Sequence, residues 1–221
     1  MKITYLGHSC FEIETNGKKI LVDPFLVISP NHKIENICDI FVTHGHGDHL
    51  GSAIEISKNN KAIITAIFEL ANYCSTKGAN TNDISLGGWI NYEWGRAIAV
   101  PAFHSSSTPE GYYAGCPCGY IFEIEGKRIY HAGDTCLNSE MKVIGEVYKP
   151  DIAILPIGGH YTMDIENAVI AAQWLDAKQV IPMHYNTFDA IKVNITKFEH
   201  EIKNINKEPV ILKIGESNRV D

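Results

Sequence analysis

Residues 44–49 read His44-Gly45-His46-Gly47-Asp48-His49. Three imidazoles and a carboxylate fall within six residues, with only glycine between them. Imidazole and carboxylate together suit zinc, iron or manganese. Core packing would not select such a set, because burying several imidazoles and a carboxylate without partners is costly. Glycine lets the backbone turn tightly enough to aim the side chains at one point. The stretch follows "DIFVT" directly, so it hangs from the end of a short β-rich run.

One loop cannot close two metal positions, so further ligands are expected at other strand ends. His104 follows "AVPAF", Asp134 follows "RIYHAG" and His184 follows "VIPM". Each stands where an apolar run enters a polar or glycine-containing loop. The serine-rich "FHSSSTPEG" contains no recognisable nucleophile elbow and reads as a loop beside His104.

The elements that would carry these loops alternate. "CFEIET" and "KKILVD" flank Asn16-Gly17, a strong hairpin pair. Further strand candidates are "MKITYLGHSCFEIE" at its start, "AIITA", "RAIAVPA", "YIFEIE", "RIYHA", "DIAILPI", "QVIPM" and "PVILKI". Helical patterns occupy about 53–59, 69–77, 139–148, 165–176 and 196–204, so the fold class is α/β. A weak internal repeat also shows. "FEIETNGKKILVDP" at Phe11 and "FEIEGKRIYHAGD" at Phe122 are both hairpins leading to an aspartate, Asp23 or Asp134. "CDIFVTHGH" and "PDIAILPIGGH" follow them in turn. Two similar halves would bring their strand ends into one cleft, a usual place for a site.

The chain has 221 residues, enough for one large domain, and a single domain over 1–221 is expected. The net charge of -7 and the absence of a basic stripe argue against nucleic acid and anionic membrane as partners. No apolar run of about 18 residues suggests a membrane span, and the first residues lack the apolar centre of a signal peptide. A cytoplasmic location with reduced thiols is expected for the six cysteines; Cys116-Pro-Cys118 reads as a turn before a strand.

The segment "THGHGDHL" resembles the H-x-H-x-D-H signature of the metallo-β-lactamase superfamily. "YLGHSCFEI", "YHAGDT", "LPIGGHYTMD" and "IPMHYNTF" resemble one branch, the metal-dependent hydrolases related to ascorbate-6-phosphate lactonase. The resemblance implies a four-layer αβ/βα sandwich and two divalent metal ions, zinc first, with manganese or iron as alternatives. It assigns His44, His46 and His104 to one metal and Asp48, His49 and His184 to the other, bridged by Asp134. Asp23 would fix the tautomer of a ligand histidine. Catalysis would run through hydroxide activated by two metals, on a small ester, lactone, amide or phosphodiester-type substrate. Asp48 would help orient the hydroxide; His8 and His160 are candidates for proton transfer or substrate contact. His32, His131 and His200 stay unassigned.

The lactonase-like group reads phosphate partly through an arginine in the loop that here spans 158–164, and no Arg or Lys stands there. The stretches 43–52, 103–111, 131–137 and 182–189 also lack one. The expected partner is therefore a neutral or weakly charged small molecule, and a homo-oligomer stays open. Alternatives are a ribonuclease or phosphodiesterase of the same superfamily, a diiron redox protein and a non-catalytic metal-binding protein. The first would call for a basic surface, and the second for H-x-E-x-D and a flavin domain.

Overall fold

The computed structural model describes residues 1–29 and 31–220. Among them, two seven-stranded sheets lie face to face. The first contains β1 (Lys2–Gly7), β2 (Cys10–Thr15), β3 (Lys18–Val22), β4 (Ile37–Phe41), β5 (Ile63–Ile67), β6 (Asn80–Ile84) and β14 (Ser217–Arg219), in the order β14-β1-β2-β3-β4-β5-β6. The second contains β7 (Trp89–Tyr92), β8 (Gly95–Pro101), β9 (Cys118–Ile124), β10 (Lys127–His131), β11 (Ile152–Pro156), β12 (Gln179–Met183) and β13 (Glu208–Pro209), ordered β13-β12-β11-β10-β9-β8-β7. Helices α2 (Ala53–Asn60) and α3 (Phe68–Thr76) cover the first sheet; α4 (Glu140–Tyr148), α5 (Ile165–Leu175) and α6 (Ile195–Asn204) cover the second. This is the four-layer αβ/βα sandwich.

Period-two alternation builds the layers. In β3, Ile20 and Val22 enter the core between the sheets, while Leu21 enters the core under α2 and α3. Phe41 points inward and its neighbours Ile40 and Val42 outward. Strands buried on both faces read as near-continuous apolar runs, which is why these were visible in the sequence. Phe41 meets Tyr120 and Phe122 of the opposite sheet edge-on, at 5.1 and 4.9 Å. Each such buried side chain contributes roughly 1.5–3 kcal/mol.

The two halves repeat. Neighbouring strands from β1 to β6 pair antiparallel, antiparallel, then parallel three times, and β8 to β13 do the same. Both hairpins close on two left-handed residues, Asn16-Gly17 and Glu125-Gly126, as the twist of the strands favours. The matching letters, however, sit two residues out of structural register. Thr15 pairs with Lys18 and Ile124 with Lys127, so Phe122 corresponds to Ile13 rather than Phe11. Asp23 accordingly follows β3 at once, whereas Asp134 lies three residues beyond β10.

"PVILKI" departs from expectation. Only Glu208–Pro209 is strand; the next residues cross from the second sheet to the first, where Gly215 N–H donates to Tyr5 O. Val210 N–H still donates to Val180 O of β12, and Val210, Ile211 and Leu212 pack on the inter-sheet core. β6 and β7 escape sequence reading because the edge segment "NTNDI" is mostly polar with one buried residue, and "WINY" is short.

Candidate metal centre

The cluster lies where strands of both sheets end. β4 leads into residues 44–49, β8 into His104, β10 into Asp134 and β12 into His184. Asp23, His160, His184 and His8 all have positive φ, between 46° and 56°. Such sparsely populated conformations persist where surroundings over-determine them. Here they turn the chain sharply at strand ends.

Residues 44–49 are not wholly a loop. Gly47–Leu50 forms a single helical turn, α1, entered through His46 and anchored by buried Leu50. Gly45 is not in the left-handed region; its requirement is space. A Cβ there would stand 2.5 Å from Ala114 Cβ and 2.9 Å from Ser107 O. Gly47 faces only Pro109, at 3.8 Å. The serine-rich loop clasps this turn, since Gly45 N–H donates to Ser106 Oγ at 3.2 Å.

The structure brings seven of the candidate residues together, and His8 with them. Ligand atoms lie within 4.8 Å of one another in three overlapping groups: His44, His46 and His104; His44, His49 and Asp134; His8, Asp48, His49 and His184. Asp134 stands between the groups. Its Oδ1 is 3.3 Å from His49 Nε2, and its Oδ2 is 3.1 Å from His184 Nε2 and 3.6 Å from His104 Nε2. Asp48 Oδ2 lies 4.0 and 3.9 Å from the Nε2 atoms of His49 and His184. His160 stays apart: it is exposed on the loop after β11, its ring edge-on to Tyr161 at 4.4 Å.

Asp23 is fully buried and accepts three hydrogen bonds. Thr43 N–H reaches Oδ1 at 2.8 Å; Thr43 Oγ1 and His49 Nδ1 reach Oδ2 at 2.8 and 2.7 Å. The proton of His49 facing Asp23 is thereby fixed on Nδ1, and Nε2 points to Asp134. His131 also gains a role. It is buried in β10, and its Nε2 lies 3.0 Å from Ser9 O, tying the second sheet to the β1–β2 turn. Two further contributors received no individual role from the sequence: Ser106, in the loop read as lying beside His104, and Thr187, whose Oγ1 sits 2.6 Å from His8 Nδ1.

The donor set fits a cation. His49 Nε2 and Asp134 Oδ1 are buried and lack a hydrogen-bond partner among the described residues, despite facing each other. Orphaned polar atoms of this kind are rare and call for an explanation such as an ion. Burial alone would lower the His49 pKa, but Asp134 and Asp23 together raise it well above the usual histidine range. Burial would raise Asp134, yet the facing His49 and His184 hold it well below the usual carboxylate range. Burial pushes His44 well down, keeping its lone pair free to ligate.

The family model described as the beta-lactamase superfamily domain matches residues 2–184, which include every candidate ligand. The chain belongs to the metallo-β-lactamase superfamily. It is similar to a metal-dependent hydrolase of Bacillus cereus, 44% identical over 226 aligned positions that cover 98% of this chain and 99% of that protein. Among solved structures, a metallo hydrolase of the archaeon Ignicoccus hospitalis superposes with a TM-score of 0.89 at 35% identity, covering 100% and 99% of the two chains. An isothiocyanate hydrolase from Delia radicum gut bacteria, at 19% identity and TM-score 0.79 over 100% and 99%, shares the fold. The chain is thus a metal-dependent hydrolase of this superfamily, with a His/Asp metal-binding cluster at its strand ends.

Proposed function

We propose that this superfamily member is a dinuclear hydrolase of small, neutral esters, lactones or amides. The observation that carries the reading is the position of Asp134, with carboxylate oxygens facing His49, His104 and His184. His44, His46 and His104 would hold one divalent ion and Asp48, His49 and His184 a second, with Asp134 shared. Zinc is the first expectation for N/O ligands, with manganese or iron as alternatives. When bound, two such ions supply a hydroxide at neutral pH and polarise the oxygen of the bond attacked.

The chain's own residues do the rest. Asp48, with 28% side-chain exposure, is the cluster carboxylate open to solvent and orients the attacking water. His160, exposed on the facing half, contacts the substrate and passes a proton to the leaving atom, the oxygen of an ester or lactone or the nitrogen of an amide. No cationic side chain stands in the site loops, and the three arginines are far off. Arg96 and Arg128 both bind Glu123 near the starts of β8 and β10, while His104 and Asp134 follow the ends of those strands. A strand rises about 3.3 Å per residue, so Arg96 lies roughly 20 Å from the cluster end. Arg219 pairs with Lys2 at the start of β1. Phosphate is usually gripped by an arginine fork, so a phosphorylated substrate is disfavoured, and the acidic chain disfavours RNA.

Metal analysis of protein purified without chelator, with a panel of esters, lactones and phosphodiesters, tests this reading. Two ions per chain are expected, together with faster turnover of a lactone than of its phosphorylated analogue. His46→Ala should lose metal and activity together, and full activity in that variant would refute the assignment. His160→Ala should keep its metals while kcat/KM falls about 10²-fold.

A further inference from the structure

Building on the dinuclear reading, we propose that Thr187 and His8 are positioning residues that hold the Asp48 carboxylate toward the second metal position. The Asp48 side chain receives one hydrogen bond among the described residues, from His8 Nε2 at 3.1 Å. An ionised carboxylate only accepts, so His8 must carry its proton on Nε2. In the neutral ring Nδ1 is then a bare acceptor, and Thr187 Oγ1, 2.6 Å away, is the donor. The carboxylate thus sets the tautomer, and the hydroxyl caps the ring nitrogen that this tautomer leaves bare, holding the imidazole against Asp48. Thr187 lies three residues after His184, so one loop delivers both a candidate ligand and the group that orients another.

His8 is built for this and not for exchange with substrate. It is fully buried, with its ring 4.1 Å from that of His184 and edge-on to Phe25 and Phe188 at 5.7 and 5.1 Å. Its carbonyl accepts from His184 N–H at 2.8 Å and from Tyr5 OH at 3.2 Å. Both ring nitrogens are engaged and the left-handed backbone is clamped at φ 56°. A proton on His8 has Asp48 and Thr187 as its neighbours, so its effect passes through Asp48.

The test is a Zn²⁺ titration against a chromophoric chelator on wild type, Thr187→Val and Thr187→Ser. Valine keeps the shape and removes the donor; serine keeps the donor. One of the two Zn²⁺ affinities should fall about 10- to 100-fold in Thr187→Val, as for other lost partners of ligating groups. Thr187→Ser should restore it, and the other affinity should not move. In metal-free wild type above neutral pH, ¹⁵N shifts should report His8 with its proton on Nε2. A proton on Nδ1 overturns the proposal even if the valine variant fails to fold. So do unchanged Zn²⁺ affinities in Thr187→Val, or a serine variant that restores nothing. A wild type that holds fewer than two Zn²⁺ refutes the dinuclear reading itself, and the proposal falls with it.

Discussion

Asp23→Asn isolates the hydrogen-bonding work of one buried carboxylate. Asn and Asp are nearly isosteric, and Asn tolerates the left-handed backbone that Asp23 adopts at φ 46°. All three partners of Asp23 are donors: Thr43 N–H, Thr43 Oγ1–H and His49 Nδ1–H. An amide has one acceptor oxygen to offer them. If that oxygen takes the Oδ2 place, the NH₂ faces Thr43 N–H and two donors confront each other in a dry site. If it takes the Oδ1 place, the NH₂ faces His49 Nδ1, and His49 must move its proton to Nε2. That occupies the ring nitrogen through which His49 would hold a metal. The first arrangement leaves a buried donor unsatisfied, costing about 1–3 kcal/mol. For a chain of this length that is a fall in Tm of roughly 2–12 °C. The second arrangement spares stability but weakens metal binding by about 10- to 100-fold. Thermal unfolding of the chelator-treated protein and Zn²⁺ competition titrations, run on the same samples, read both routes. Asp23→Asn must lose on at least one. A variant with unchanged Tm and unchanged Zn²⁺ affinity would show that Asp23 does not govern His49.

Asp134→Asn removes the negative charge placed among three histidines and should release more than one equivalent of metal, measured by elemental analysis after gel filtration. Gly45→Ala should destabilise by about 1–3 kcal/mol in denaturant unfolding, because its Cβ meets Ala114 and the Ser107 carbonyl. Gly47→Ala should stay within about 0.5 kcal/mol, since nothing lies closer than Pro109 at 3.8 Å. Burial holds the His131 pKa below the ordinary histidine range. The folded state therefore binds fewer protons there than the unfolded chain. The stability from neutral His131 is present above about pH 6.5 and is lost as pH falls toward the lower folded value. Replacing it in His131→Gln should flatten the acid side of the stability–pH curve.

The seven clustered ligand candidates were legible because metal chemistry restricts residue type so severely: His44, His46, Asp48 and His49 are crowded, and His104, Asp134 and His184 each end an apolar run. The doubly buried strands were legible for a related reason, since both their faces must be apolar. Thr187 and Ser106 were not, because a hydroxyl in a loop has many ordinary uses and only its partner's position gives it one. His131 carried no pattern until its carbonyl partner at Ser9 arrived from 122 residues away. The polar edge strand β6 has little burial to impose alternation, and α1 is too short for any periodicity. The repeat was visible but misaligned by two residues, because "FEIE" matched as letters while the hairpin turns fix the true correspondence.

The repeat has a consequence for how the chain is made. Counting seven strands to each half, β7 belongs to the first half yet edges the second sheet, and β14 belongs to the second half yet edges the first. Each half lends its last strand to the other. During synthesis the sheet that leaves the ribosome first therefore keeps the β1 edge bare until residues 217–219 emerge to cover it. A bare edge is an invitation to pair with another chain. Strand exchange makes the late-arriving Ser217, Asn218 and Arg219 a lock on the earliest structure, and it gives a nascent or truncated chain a specific place at which to aggregate.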